Sequence, residues 1–459
     1  MPSFRSRAAT AAALLASACS AGPRPQLAEK APLLSYDWGA AAGEAPADAL
    51  PVEAGWSAFR SAELEALIAR ARAANTDLAV ARARVIQARG QLGVARSATL
   101  PSLGLSANAE GVRTSSRAGV TLSNDHSAGL DVAWDLDLFG ANRAGKRAAL
   151  ARLVASQFDR DATELAVESE VARAYVAWAA LTDRLAILDR ALDNARELER
   201  IIAIRLKEGV ATKVDLGLQT IEVRRYESAR SQMAEARGQA RNALALLVGE
   251  EAPRFRPAEA KLAAFAYPDF RPVQPGDLLV RRPDIKAAEA RIRAAEGDVA
   301  RARAAFLPTI AISARSLGQE LAAGGPLQMV LSAGASLLAP IFQGGRLRGN
   351  LMTASGVQLE SVETYRAALL TATREGADAL TSLDESRRRM ALLGQSLEEA
   401  RLTARLARRQ YVEGAADLQT VLNAERGLLD LEDAHALAAQ DRLDAAIDLY
   451  RAMGGGPAR

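Results

Sequence analysis

Two hydrophobic periods alternate along this chain. At Leu130, Val132, Trp134, Leu136 and Leu138 the apolar residues fall at every second position, separated by Asp131, Ala133, Asp135 and Asp137. Met329, Leu331, Ala333, Ala335 and Leu337 alternate in the same way with Val330, Ser332, Gly334 and Ser336. Weaker alternations start at Leu103 after Pro101 and at Ile310 after Pro308. A period of two belongs to a strand with one apolar and one polar face, so four strands are predicted. Elsewhere the period is seven. From Val362 the apolar seam runs through Leu369, Gly376, Leu383, Met390, Leu397, Ala404 and Tyr411. A second seam three residues ahead passes Tyr365, Ala372, Ala379, Ser386, Leu393, Ala400 and Ala407. Val171, Trp178, Leu185 and Leu192 begin an equivalent seam earlier in the chain. Such a repeat predicts helices supercoiled left-handedly against neighbours, and the alanines predict close approach.

The pattern occurs twice. Asn75-Thr76-Asp77-Leu78 through Leu100-Pro101-Ser102-Leu103 is answered by Arg282-Pro283-Asp284-Ile285 through Leu307-Pro308-Thr309-Ile310. Leu138-Phe139-Gly140 is answered by Ile341-Phe342-Gln343, and Glu208-Gly209-Val210-Ala211 by Glu413-Gly414-Ala415-Ala416. A spacing of about 205 residues is too long for a solenoid, so a whole structural unit is duplicated. Residues 75–250 form the first repeat and 277–452 the second. Residues 251–276 carry Pro253, Pro257, Pro268, Pro272 and Pro275 and read as a connector; residues 453–459 read as a disordered tail.

Each repeat reads helix, strand, strand, long helix, helix. No proline lies between Ser102 and Ala252 or between Ile341 and Gly456, which leaves room for long helices. The helix from Ala141 to Glu208 would have about 68 residues and a length of roughly 100 Å. The entering and returning helices, near 75–100 and 213–248, would be roughly 39 and 54 Å long. Together they nearly equal the long helix and can stack end to end beside it.

Composition adds a compartment. Of 459 residues, 49% are hydrophobic and 4% aromatic. Lys plus Arg number 58 against 55 Asp plus Glu. This near-neutral balance, without a basic cluster interleaved with aromatics, argues against a nucleic-acid partner. Arg5 and Arg7 precede the small apolar run Ala8 to Ala18, which reads as an export signal over residues 1–18. The run ends at Cys19, the only cysteine. A lone cysteine after Ala16-Ser17-Ala18 resembles a lipobox, in which the thiol is acylated and becomes the mature N-terminus. Ala16 stands where that pattern prefers Leu.

After the leader there is no run of about 18 apolar residues, so a bilayer crossing would use strands. Four strands cannot close a barrel, and open edges are not tolerated in lipid. Two chains would give eight strands and a filled interior. Three would give twelve, and strands about 4.8 Å apart tilted about 40° enclose a barrel roughly 24 Å across. Geometry favours the trimer. Asp131, Asp135 and Asp137 would then face the pore, with Val132, Trp134 and Leu136 facing lipid.

At this point the chain closely resembles the outer-membrane efflux factors of the TolC type, in the lipoprotein branch that includes OprM and NodT. The carrying residues are Leu278-Leu279-Val280-Arg281-Arg282-Pro283-Asp284-Ile285, Ala288-Glu289 and Phe306-Leu307-Pro308. Trp56, Phe59, Leu64, Leu67 and Asn75 match the family's lead-in segment, and Glu413-Gly414 with Val421-Leu422-Asn423-Ala424 matches its second periplasmic turn. The resemblance implies an α+β membrane protein, a homotrimer whose twelve-stranded β-barrel continues as a periplasmic α-helical coiled-coil barrel. Residues 19–74 would form a lipidated N-terminal and equatorial segment, and 251–276 an equatorial connector. It also implies passive export, driven by an inner-membrane pump through a periplasmic adaptor.

Within that frame, Arg282, Pro283 and Asp284 suit a helix start, because proline fits the first helical position and aspartate complements the dipole. Gly209 and Gly414 would end helices, and with Lys213, Asp215 and Asp417 would form the periplasmic gate. Helix capping is the plainer role for those charges. No enzyme is expected: His126 and His435 lie far apart and no glycine-rich phosphate loop follows a strand. No cofactor or metal is expected. A type I secretion exit duct, or a periplasmic lipoprotein scaffold without a pore, are the alternative functions.

Overall fold

The computed structural model describes residue 38 and residues 49–117, 119–320 and 326–455. The leader, Cys19 and residues 456–459 lie outside the described residues. The described chain falls into two units. Among the described residues, a sheet unit holds 83–117, 119–158, 286–320 and 326–368, and a helical unit holds 38, 49–82, 159–285 and 369–455.

The two repeats match element for element. The first comprises α2 (Thr76–Ser97), β1 (Ser102–Ser116), β2 (Gly119–Leu136), α3 (Ala141–Lys207) and α4 (Lys213–Leu247). The second comprises α6 (Pro283–Ala304), β3 (Thr309–Glu320), β4 (Gln328–Leu338), α7 (Arg346–Val412) and α8 (Leu418–Ala452). Helix lengths are equal, 22, 67 and 35 residues in each. Ahead of them stand a 3₁₀ segment, Val52–Phe59, and α1 (Ala62–Ala74), and α5 (Leu278–Arg281) precedes α6.

In the sheet unit, four antiparallel strands lie in the order β1-β2-β3-β4. Below them Val85 and Ala88 of α2 pack on Leu153 of α3. Gly297 of α6 comes so close to α3 that a Cβ there would lie 2.9 Å from Ala148. Lys286 sits 5.5 Å above the Phe158 ring.

The helical unit is held by heptad contacts. Val171, Trp178, Leu188, Leu192 and Ala195 of α3 are buried, as are Leu369, Ala372, Ala379, Leu397, Ala404 and Tyr411 of α7. Between the repeats, Leu50 forms a parallel bridge with Phe270, placing the N-terminal segment on the connector. Trp56 and Phe59 then join Phe270 and Tyr450 in an aromatic cluster. Glu168, almost fully buried on α3, is held by Trp56 Nε1 at 2.8 Å and Arg72 Nε at 2.5 Å.

Helix ends meet in this unit. Asn75 accepts from the backbone N–H of Asp77 and Leu78, capping α2, and donates from Nδ2 to the Leu247 carbonyl at the end of α4, 2.8 Å away. The start of α6 meets the end of α8 in the same way. The expected disordered tail needs a correction in its first three residues. Met453 is fully buried and Gly455 is buried too. The amide of Gly455 donates to Tyr450 O at 3.0 Å, and Arg281 reaches the carbonyl of Gly455. The helix end offers carbonyls that need donors, and burying Met453 removes an apolar side chain from water.

Candidate functional site

The strand register sorts the sheet into two faces. Asp131 lies opposite Gly104 on β1 and Arg315 on β3, and Arg315 lies opposite Ser332 on β4. Asp135, two pleats along on the same face, is opposite Ala311, which is opposite Ser336. Over this span the face carries short or charged side chains, while Leu317 and Val330 lie on the same face nearer the β3–β4 connection. The other carries Leu103 and Leu105 of β1, Leu130, Val132 and Trp134 of β2, Ile310 and Ile312 of β3, and Leu331 and Leu337 of β4. Leu105 and Leu331 are each 80% exposed. One continuous apolar surface is thus presented by all four strands.

The three aspartates predicted for this face separate. Asp131 is ion-paired with Arg315 Nε at 3.0 Å and accepts from Ser106 Oγ at 2.5 Å. Asp135 has no ion pair among the described residues. Asp137 was expected in line with the other two, but β2 ends at Leu136. Its carboxylate instead accepts from the backbone N–H of Asn142 and Arg143, at 3.0 and 2.8 Å. The positive end of a 67-residue helix draws it there.

At the other end of the long helices stand two similar turns. Gly209 and Gly414 have φ of 77° and 79°, left-handed values that suit glycine. Val210 N donates to Arg205 O and Gly209 N to Leu206 O, while Ala415 N donates to Gln410 O and Gly414 N to Tyr411 O. These are paired helix-ending bonds of the Schellman type. The following helices are capped by interchanged chemistry. Thr212 caps α4 and exchanges bonds with Asp215, whereas Asp417 caps α8 and accepts from both N and Oγ1 of Thr420. The Thr420 bonds hold the Asp417 carboxyl below the usual range. Lys213 opens α4 beside its cap. Thr-x-x-Asp and Asp-x-x-Thr are visible in the sequence as capping patterns, and the structure shows both aspartates in the capping role, each paired with a threonine that the charge pattern alone does not single out.

Near the turns the repeats are tied across one another. Arg205 of α3 lies 4.7 Å above the Tyr411 ring of α7 and donates from Nη1 to the Tyr411 carbonyl at 2.9 Å. Glu222 of α4, 4% exposed, is ion-paired with Arg426 of α8 and with Arg225 at 2.7 Å. Leu198, Ile202, Tyr411, Leu418, Val421 and Leu422 pack around the turns as one apolar cluster. Tyr411 is marked in the sequence by its place in the heptad seam, but Arg205, Glu222 and Arg426 are not, because a salt bridge between residues some 204 positions apart has no local signature.

Arg282 precedes α6, with Pro283 its first residue and Asp284 in its first turn. It is buried, and every side-chain nitrogen donates. Nε and Nη2 bind Asp284 at 3.1 and 2.7 Å, Nη2 also binds Glu375 at 2.8 Å, and Nη1 reaches Ala452 O at 3.1 Å. Burial opposes the charge, and the two carboxylates more than restore it. Among the described residues no group of His, Cys, Asp and Glu is arranged to hold a metal, and no helix is long and apolar enough to cross a membrane.

The architecture now meets known proteins. The family model for outer membrane efflux proteins matches residues 67–250 and 275–455. The chain belongs to the outer membrane efflux protein family. This efflux protein is 35% identical to the pyoverdine export outer membrane protein OpmQ of Pseudomonas aeruginosa, over 99% of this chain and 97% of that one. It is 32% identical to the outer membrane protein OprJ of the same organism, over 97% and 94% of the two chains. The solved structure of the outer-membrane channel OprN superposes with a TM-score of 0.84 at 26% identity, covering 95% of this efflux protein and 99% of that chain. The protein is an outer-membrane efflux channel, a transport protein of the cell outer membrane extending into the periplasm.

Proposed function

We propose that three copies of this chain close a twelve-stranded barrel through the outer membrane and continue it as a helical tunnel across the periplasm. The channel passes small molecules outward from an inner-membrane pump and its periplasmic adaptor, without an energy source of its own. The observation that supports this best is the sheet. All four strands share one apolar face, yet β1 and β4 each have a single partner strand in the described chain. Unpaired edges in lipid cost several kcal/mol for each unsatisfied group, so pairing β4 of one copy with β1 of the next satisfies both.

Acylated Cys19 anchors the N-terminus in this reading, Asp131 and Asp135 face the pore, and the turns at Gly209 and Gly414 form the periplasmic gate. The cross-ties Arg205–Tyr411 and Glu222–Arg426 hold that gate closed. Pyoverdine, named for a relative similar over nearly the whole length, is the first cargo to test. Deleting the gene should abolish its export and wild type should restore it. A wild-type copy that restores nothing although it assembles in the outer membrane removes that cargo. Fatty-acid labelling that tags wild type and spares Cys19→Ser supports the anchor; equal labelling of both removes it.

A further inference from the structure

On α7, Gly376 falls at a heptad position where the seam calls for an apolar side chain, and a Trp ring occupies the vacancy. A Cβ on Gly376 would lie 2.3 Å from Cη2 of Trp38, 2.9 Å from Cζ3 and 3.1 Å from Cζ2. The indole is buried and donates from Nε1 to the carbonyl of Val273, at 2.6 Å, in the connector between the repeats. Trp38 therefore touches the connector with its polar edge and α7 with its apolar edge. Eighteen residues later the same segment reaches the other long helix, where Trp56 donates to Glu168 of α3. Between them, Leu50 N donates to Asp269 O and Arg271 N to Leu50 O, each at 2.8 Å.

The notch exists in one repeat only. Counting back by the 205 residues that separate Gly209 from Gly414, the counterpart of Gly376 is Val171. Val171 is fully buried and fills its own seam position. At this heptad position only α7 leaves its backbone open to a ring. We propose that Trp38 is a plug by which the N-terminal arm straps the inter-repeat connector to the long helix of the second repeat. The arm breaks the equivalence of the repeats, binding α3 through a buried carboxylate and α7 through a glycine notch.

A reversal of sign tests this. Alanine is a better helix former than glycine in a helix interior, so Gly376→Ala should raise thermal stability wherever nothing occupies the notch. With Trp38 in place, Gly376→Ala should instead lower the melting temperature of the assembled full-length protein. In a Trp38→Ala background the same substitution should raise it. Hydrogen exchange should quicken in residues 369–383 and 270–276 of both Gly376→Ala and Trp38→Ala, and stay unchanged in residues 164–178. Gly376→Ala that stabilises both backgrounds, or Trp38→Ala that leaves exchange at 270–276 unchanged, overturns the proposal. Neither readout depends on lipidation or export, so the channel reading can fail while the strap stands.

Discussion

The guanidinium of Arg282 donates to the carbonyl oxygen of Ala452 at 3.1 Å, so the residue before α6 holds the last turn of α8. Asn75 does the same for Leu247 in the first repeat. Two short helices thereby join end to end in each repeat, once with a neutral amide and once with a charged fork. The amide satisfies one carbonyl and caps a helix. The fork also ion-pairs with both Asp284 and Glu375, and the second of these ties α7 into the joint.

The two joints should differ in cost. Arg282→Ala removes a buried guanidinium together with its bonds to Asp284, Glu375 and the Ala452 carbonyl, and should destabilise the protein more than loss of the neutral joint does. Asn75→Ala loses a cap and one hydrogen bond, roughly 1–2 kcal/mol. Chemical unfolding followed by circular dichroism measures both, and equal losses would deny the charged joint its greater weight.

Asp444 on α8 gives the helical unit a pH dependence. Burial pushes its carboxyl up to about 6, against Gln440 and Arg173, with Asp441 adding to the rise. Gln440 Nε2 donates to it at 3.3 Å. Because the folded value is raised, the stability this group contributes is complete below its ordinary value of 3.8 and is lost as pH rises through 6. Asp444→Asn should therefore be more stable than wild type at pH 7.5, by on the order of 2 kcal/mol, and equal to it near pH 4. Melting curves across that range check the sign.

The turn at Gly414 separates charge from capping. Asn caps helices about as well as Asp, so Asp417→Asn should lower cation selectivity while resting conductance stays low. Asp417→Ala loses the cap as well and should raise resting conductance. Single-channel recordings distinguish the two. The Thr420 bonds keep Asp417 ionised well below neutrality, so any selectivity that Asp417 confers should not titrate between pH 5 and 8.

On the barrel face, Asp135→Asn should reduce cation preference more than the double change Asp131→Asn with Arg315→Gln. The double change removes an ion pair of no net charge. Ion-selectivity measurements in a salt gradient compare them.

Much of this architecture was legible because its signals are local. A period of two marks Leu130 to Leu136 as strand from within the strand, and proline-free stretches bracket helices of 67 residues. What was not legible depends on register and distance. Arg315 as the partner of Asp131 requires knowing which β3 residue lies opposite β2. Asp137 fits the alternation, yet the helix start at Ala141 takes it out of the strand. Gly376 looks like a weak seam residue until a distant Trp38 is seen against it. Met453 reads as part of a glycine-rich tail, and only the packing of the fold shows it buried.

The most direct test is the conductance of the purified protein in planar bilayers, with Arg205→Ala and Arg426→Ala combined. These substitutions remove both cross-ties near the Gly209 and Gly414 turns, Arg205 to Tyr411 and Arg426 to Glu222. The wild-type protein should give small, discrete openings, and the double variant large stepwise conductance from the same amount of inserted protein. A double variant that inserts as a trimer and conducts no current would contradict a channel and leave a scaffold.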